Sequence, residues 1–464
     1  MNIPATFTTY TEIESSLDID YSILNSRIFT TRDISQYKLS TKKDKSVKYL
    51  CISIEINLEN FESTLDGSAF ARPRLLIILG LISFLSGELF TPFRFYGVST
   101  SVGSLTKTKK NKFRVNNISL LKDLRKISNF LNSSNENNKR LFYSLLDRWR
   151  KAFYLEIESE ENMIHNDEVL LSHFHILELL SDNYKPKQKE LATNAIDNFT
   201  KNFLKEIYLL DGNSLDSELS SKKKLIETLF IPTLPVTSKV LFMLKEQNLL
   251  NDRLKSLISE IVNDRNSVAH GRKVYKDKVI FPVPPFFALT NTQIYTAEML
   301  RMLTGRTISV FIDINHLKDE WEDVNETLLP TYNELITFIN EKKYVSLSIE
   351  DFYEGKENDI TPFVISYYLT NKKLKPNTAI PALSELILNY RKIEGEIIQI
   401  IIPVLLVVDN LKGKEYTCAI EIIILASDKR WIPDFKMRDI LYYLEYLGHK
   451  PKTLRDMIVA KKIK

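Results

Sequence analysis

The strongest constraint on the fold is a helical repeat near the middle of the chain. In "RLFYSLLDRWRKAFYLE" (140–156), Leu141, Leu145, Trp149 and Phe153 recur at four-residue spacing, with Tyr143 and Leu146 beside them. "DEVLLSHFHILELLSDNY" (167–184) has the same amphipathic character. Apolar side chains at this period line one face of a helix, and such a face needs other helices to cover it. Further helices are predicted over about 186–209 and 218–230, where Pro232 and Pro235 break the chain. Thr237 or Ser238 can cap a helix beginning near Lys239, and another starts near Asp252. Pro282, Pro284 and Pro285 interrupt again, and a last helix runs over about 292–304, ending at Gly305. Residues 138–305 are therefore predicted to form a helical bundle.

The flanks read differently. In "VKYLCISIEINL" (47–58), Ile52, Ile54, Ile56 and Leu58 alternate with polar residues, as in a strand with one buried face. A helix follows over about 70–88. Its apolar run "LLIILGLISFL" (75–85) falls well short of the about twenty residues a membrane span needs, and is expected to be a core helix. "TKTKKNKFR" (106–114) is a lysine-rich loop, and the polar stretch "NSSNENNK" (132–139) marks a boundary. Residues 1–137 are expected to be an α+β domain. Beyond 306, "TISVFIDI" (307–314) reads as a strand, 397–426 as a buried hairpin around "DNLKGKE", and the C-terminus as two short helices joined at Gly448. Residues 306–464 are expected to be a second α+β domain. The predicted class is mainly α with α+β flanking domains around a central bundle.

Composition narrows the function. Apolar residues make up 44% and charged residues 26%, as in soluble globular proteins, and only 12 glycines argue against a glycine-rich all-β architecture. A net charge of +4 permits a local anionic partner without demanding one. Cys51 and Cys418, both in apolar, strand-like runs, allow no disulfide framework or cysteine zinc motif and fit a reducing cytosol. The N-terminal "MNIPATFTTYTEIESS" has no basic and apolar signal regions, so a cytoplasmic protein with no membrane partner is expected. No phosphate-loop glycine motif and no GxSxG is present.

The informative segment is "NDRLKSLISEIVNDRNSVAHG" (251–271). Leu254, Leu257, Ile258, Ile261 and Val262 form an apolar stripe, and four residues beyond Ile261 the next slot is Arg265. A guanidinium on an apolar face is costly unless it is paired or held at a wet cleft, and its five donors suit a phosphate. Asn266 and His270 are four apart and share a face; Arg265 and His270 are five apart, about 140° around an ideal helix. Either the helix ends near Val268, with Gly271 allowing the turn, or a second copy of the chain supplies the missing angle.

"RNSVAHG" (265–271) resembles the signature of the HEPN superfamily: an Arg, a polar residue and a His at the end of a helix in a small bundle. The layout is similar to the Apea-like HEPN proteins of bacterial antiviral defence, in which an unrelated N-terminal domain precedes the bundle. The resemblance implies a metal-independent, cofactor-free endoribonuclease that cuts tRNA or mRNA as a toxin-like effector. It implies His270 as general acid–base, Arg265 as phosphate clamp and Asn266 as orienting residue. It also implies a homodimer that brings two motifs to one cleft, with flanking domains that answer a regulatory protein or phage trigger. The residue types fit: an imidazole with pKa near about 6.5 can move the 2′-OH and 5′-oxygen protons, and an arginine stabilises the phosphorane charge. The alternative is a non-catalytic sensor or adaptor that uses the bundle for dimerisation or RNA binding. A purely structural reading is also open, in which Arg265 pairs with a carboxylate such as Glu178 and His270 caps a helix end.

Three other segments carry candidate chemistry. His173 and His175 in "HFH" point to different helix faces and are expected not to share a metal. "DINHLKDE" (313–320), with Asp313, His316, Asp319 and Glu320, could hold a divalent ion but reads better as a strand-end turn. Lys436, Arg438, Lys450, Lys452, Arg455, Lys461, Lys462 and Lys464 could mark a helix-turn-helix, but fit a solvated amphipathic pair better.

Overall fold

The computed structural model describes residues 3–35, 47–58, 64–92, 95–106, 108, 111–159, 166–230, 234–269, 296–393, 398–428 and 436–463. The chain is mainly helical, with an N-terminal antiparallel sheet. It divides into two compact units. One holds the described residues of Met1–Leu250, Ile261–Ala269 and Ala297–Val324; the other holds those of Asn251–Glu260 and Asn325–Lys464.

The first unit opens with seven strands: β1 (Ile3–Ile13), β2 (Asp18–Ile23), β3 (Ser26–Thr31), β4 (Lys48–Leu58), β5 (Tyr96–Val102), β6 (Lys112–Val115) and β7 (Ile118–Ser119). The sheet order is β5-β1-β4-β3-β2-β6-β7. β1 and β4 pair along their whole length, from Ile3 opposite Leu58 to Ile13 opposite Lys48. Directly opposed residues share a face. Ala5 with Ile56 and Phe7 with Ile54 therefore lie on one side, and Thr8 with Ser53 and Tyr10 with Cys51 on the other. The first side meets α1 (Thr64–Ser86), whose Gly67 lies over Ile56. The second side is also buried in part, by Phe29, Ile34, Tyr49 and Cys51. β4 thus buries both faces over part of its length, where the alternation suggested one.

α1 is long and apolar enough to cross a membrane by length and composition. It packs instead between the sheet and the helices, with Ile78, Leu79, Leu81, Ile82 and Phe84 buried. At Gly80 a Cβ would stand 3.1 Å from the Leu146 carbonyl oxygen, so this position sets the approach of the next helical layer.

After α2 (Leu121–Ser133), that layer comprises α3 (Glu136–Ser159), α4 (Asn166–Glu206), α5 (Gly212–Phe230), α6 (Val236–Glu246), the end of α7 (Asp252–Ala269) and α8 (Ala297–Phe311). Phe142, Leu145, Trp149 and Phe153 of α3 are buried with Phe174 and Leu177 of α4 and Leu303 and Ile308 of α8. α4 is one 41-residue helix that runs through Pro186, where two helices were expected. Its two halves are held by different neighbours, which offsets the one backbone bond the proline removes.

The expected strand at 307–314 is instead the end of α8 and the turn after it; the helix continues through Gly305. Its β-branched and hydroxyl side chains fit a buried helix because their polar atoms are satisfied locally. The Thr307 hydroxyl donates to the Thr304 carbonyl, and Ser309 to that of Gly305.

The second unit continues with α9 (Lys318–Glu326), which begins in the first unit, then α10 (Tyr332–Asn340), α11 (Ile349–Tyr353), α12 (Pro362–Thr370), α13 (Pro376–Leu388), α14 (Ile398–Val407), α15 (Gly413–Asp428), α16 (Met437–Tyr446) and α17 (Lys452–Val459). No strand occurs among the described residues of this unit. The buried hairpin expected over 397–426 is the helix pair α14–α15, and the expected C-terminal α+β domain is helical. The connection falls where it was expected, but the element type was misread. A short run that is apolar all round does not separate a buried strand from a buried helix by periodicity. Leu335, Phe338, Leu383, Ile400, Ile401, Ile423 and Leu444 form the core. α16 and α17 are the two expected short helices, joined at Gly448 with φ +78°.

Arg253, in the first turn of α7, is held in this unit. Its guanidinium donates to Glu334 at 3.0 Å, to Asp359 at 2.6 Å and to the Asn358 carbonyl at 3.2 Å. Glu334 also closes a capping box with Thr331 at the start of α10. Burial alone would raise the Glu334 carboxyl, but the Thr331 hydrogen bonds and Arg253 outweigh it and hold the group below its ordinary value.

Candidate functional site

The stripe of α7 is buried at Leu254, Leu257, Ile258, Ile261 and Val262. Arg265 follows on that same side, with 24% of its side chain exposed. The guanidinium is fixed on three sides. Nη2 donates to Glu178 Oε1 of α4 at 3.0 Å, Nη1 donates to Asn266 Oδ1 at 3.1 Å, and the charge lies 5.4 Å from the centre of the Phe174 ring. Glu178 and Phe174 stand four apart on α4 and so form one ledge. Nε is buried with no acceptor among the described residues.

Asn266 is exposed, so the pair places one Arg265 edge toward α4 and another toward the surface. Arg265 and Asn266, both singled out from the sequence, are therefore in direct contact. His270 and Gly271 lie outside the described residues, as do the proline breaks at 282–285. The acidic partner named as the alternative for Arg265 is the one the structure provides. A quarter-exposed cation with one carboxylate and one amide oxygen is positioned and half-solvated, which leaves donor capacity for an anion at the surface.

A second polar group lies in the bundle interior, and sequence reasoning missed it. His173 of α4 is fully buried. Its Nδ1 is 3.0 Å from Thr304 Oγ1, and its Nε2 is 4.0 Å from Glu156 Oε2 of α3. Arg301 of α8 donates through Nε to Glu156 at 3.1 Å and sits 4.9 Å from the centre of the Phe153 ring. Desolvation pushes the His173 imidazole down to about 3, and the nearby Arg301 charge acts in the same direction. The imidazole is therefore neutral near pH 7, and its approach to Glu156 is not an ion pair. The signal was visible: four residues before the fully buried Leu177, His173 sits on the inner face of α4.

The remaining candidates disperse. His173 is buried while His175 is exposed, so "HFH" points two ways. Asp313 pairs with Lys126 at 3.0 Å. His316 donates to the Phe84 carbonyl at 2.7 Å, and burial holds its pKa below the ordinary value. Asp319 and Glu320 are exposed in the first turn of α9. Among the described residues no group of three or more His, Cys, Asp or Glu could hold a metal ion. Cys51 is a buried thiol pushed up to about 12 by desolvation, and Cys418 lies on α15, not in a strand. In the C-terminal pair, Arg455 is bonded to Glu445.

No family model, no curated protein and no solved structure matches the chain.

Proposed function

We propose that the chain is a metal-independent endoribonuclease of the HEPN type, acting on tRNA or mRNA in the cytoplasm as a toxin-like effector of bacterial antiviral defence. The observation that carries the reading is the seating of Arg265. It is a guanidinium near the end of a bundle helix, braced by Glu178 and Phe174, with one edge beside the exposed Asn266. In this reading Arg265 binds the scissile phosphate and stabilises the charge that builds on it. His270 removes the 2′-OH proton or returns one to the departing 5′-oxygen, and Asn266 orients the imidazole or a phosphate oxygen. Two copies bring their motifs to one cleft, and the rest of the chain answers a regulatory protein or phage trigger.

The purified full chain is expected to cleave RNA in EDTA and leave a 2′,3′-cyclic phosphate. Arg265→Ala and His270→Ala are expected to fold and to lose cleavage. Equal cleavage by the variants would end this reading.

A second reading, a non-catalytic RNA-binding or dimerisation bundle, is favoured by one feature: Glu178 already compensates the Arg265 charge. It predicts weakened RNA retention in Arg265→Ala with no turnover in any form.

A further inference from the structure

Three connections of the second unit meet at one of its ends: 371–375 between α12 and α13, 408–412 between α14 and α15, and 447–451 between α16 and α17. Hydrogen bonds tie them together. His449 Nε2 donates to the Thr370 carbonyl at 2.7 Å, which seats the α16–α17 turn on the end of α12. Asp409 accepts from the backbone N–H groups of Lys452 and Thr453 at 2.7 and 2.8 Å, which seats the connection after α14 on the start of α17. Lys372 joins at Gly448, where a Cβ would stand 2.6 Å from its ammonium nitrogen.

These connections and the helix ends beside them are strongly basic. Over 370–377, 408–416 and 447–453 the chain has seven lysines against two carboxylates, Asp409 and Glu415. That is an excess of five positive charges, where the whole chain carries +4. Lys373 is taken by Glu260, and Asp409 is occupied in capping α17. Lys372, Lys375, Lys412, Lys414, Lys450 and Lys452 are all exposed, and none has a carboxylate partner among the described residues. Folded turns hold these like charges together, so an anion carrying several charges is attracted to all of them at once.

The side chains around the lysines select the kind of anion. A protein partner would be met by aromatic or arginine anchors, and protein interfaces are depleted in lysine. A bilayer surface would be met by apolar side chains that enter it. The one large exposed apolar residue in these segments is Tyr416, at 39%. Lysines with little else beside them suit a row of phosphates. With no arginine among them, the bidentate fork that most often reads a guanine is missing, so the contact is to the backbone and carries no base sequence.

We infer that this end of the second unit docks the phosphate backbone of an RNA without reading its bases, through a surface on a different unit from Arg265. The inference rests on the proposed function only in taking RNA, rather than another polynucleotide, as the partner.

Fluorescence anisotropy of the full chain with a labelled, fully 2′-O-methylated RNA hairpin, over a KCl series, tests it. Methylation blocks attack by the 2′-oxygen, so binding is read without turnover. Six phosphate contacts predict a log–log salt slope of about −4 or steeper. Lys372→Glu/Lys412→Glu/Lys450→Glu is expected to weaken binding at least about tenfold and to reduce the slope by about 2 to 3, with unchanged helical circular dichroism. Lys201→Glu/Lys205→Glu/Lys224→Glu makes the same charge change on the first unit and is expected to leave the affinity as it is. A hairpin of unrelated sequence should bind equally well. RNA affinity indifferent to the first three substitutions, or equal losses from the two triple variants, overturns the inference. So does lysine-dependent binding that favours phosphatidylserine-containing vesicles or polyglutamate over RNA. A chain that binds through these lysines but never cuts RNA removes only the nuclease reading. A chain that cuts RNA while its binding ignores them removes only this inference.

Discussion

Glu178 and Arg265 stand 3.0 Å apart, on α4 and near the end of α7, each about a quarter exposed. The pair anchors the one guanidinium that breaks the apolar stripe of α7, and it does so beside the Phe174 ring. Whether Arg265 acts on RNA or only holds two helices together, Glu178 sets where its charge is.

The pair is partly solvated, each member about a quarter exposed, so its stabilisation should be modest. Glu178→Ala and Arg265→Ala are each expected to lower the unfolding free energy by about 1 kcal/mol in urea titrations. The double variant should cost less than the sum of the two, with a coupling of at least about 0.5 kcal/mol. Strict additivity would show that the two groups do not interact in solution.

His173 predicts an acid limb in stability. Its folded pKa, about 3, lies below the ordinary histidine value, so the unfolded chain takes up a proton first as pH falls. The contribution is fully present above about pH 6.5 and is lost progressively from there toward pH 3, by up to about 1.4 kcal/mol per pH unit. The groups facing the ring are Glu156, Arg301 and Thr304. His316 and His449 are depressed in the same sense, so the comparison must be differential. His173→Gln should flatten the wild-type decline between pH 6.5 and 5, read by denaturant unfolding at each pH. An unchanged slope would mean that the imidazole is not buried neutral.

At Gly80 a Cβ would stand 3.1 Å from the Leu146 carbonyl oxygen, so a side chain there fits only if α1 and the backbone of α3 move apart by a few tenths of an ångström. Gly80→Val should destabilise by about 2 kcal/mol or more, through separation of the two helices. Thermal unfolding of Gly80→Ala and Gly80→Val should rank the two by size; equal melting temperatures would contradict the close approach.

Arg253 is the matching test for the second unit. Arg253→Met keeps the aliphatic stem but removes the bonds to Glu334, Asp359 and the Asn358 carbonyl. A loss of about 2 kcal/mol is expected, and limited proteolysis should cut first near α10. The Glu334 carboxyl should also titrate higher in the variant, because one of the groups lowering it is gone.

The helical bundle was legible because its apolar residues repeat at the helical period, as at Leu145, Trp149 and Phe153. Arg265 stood out for the same reason, as an exception within a clear pattern. β4 was legible through its alternation, whereas β1 reads as threonine-rich and polar, although threonine favours strands. The β2–β3 and β6–β7 turns place Leu24, Asn25, Asn116 and Asn117 at positive φ. The Asn116–Asn117 pair was a readable hairpin cue. Isoleucine and valine content drew 397–426 toward strands, yet Pro403 lies within that run, and proline is poorly tolerated in a central strand. His173 was readable as an inward-facing residue of α4, but its grouping with Glu156 and Arg301 was not, because the three are far apart in sequence and only packing brings them together.

The unbroken course of α4 mechanically links its two ends. At 1.5 Å per residue the rod is about 60 Å long, and the stretch from Glu178 to Phe199 measures about 30 Å. Any body gripping the far end holds an arm whose other end carries the carboxylate under Arg265, and the place along it where a backbone bond is missing is Pro186. No loop interrupts the arm, so bending between its ends is concentrated at the turn around Pro186.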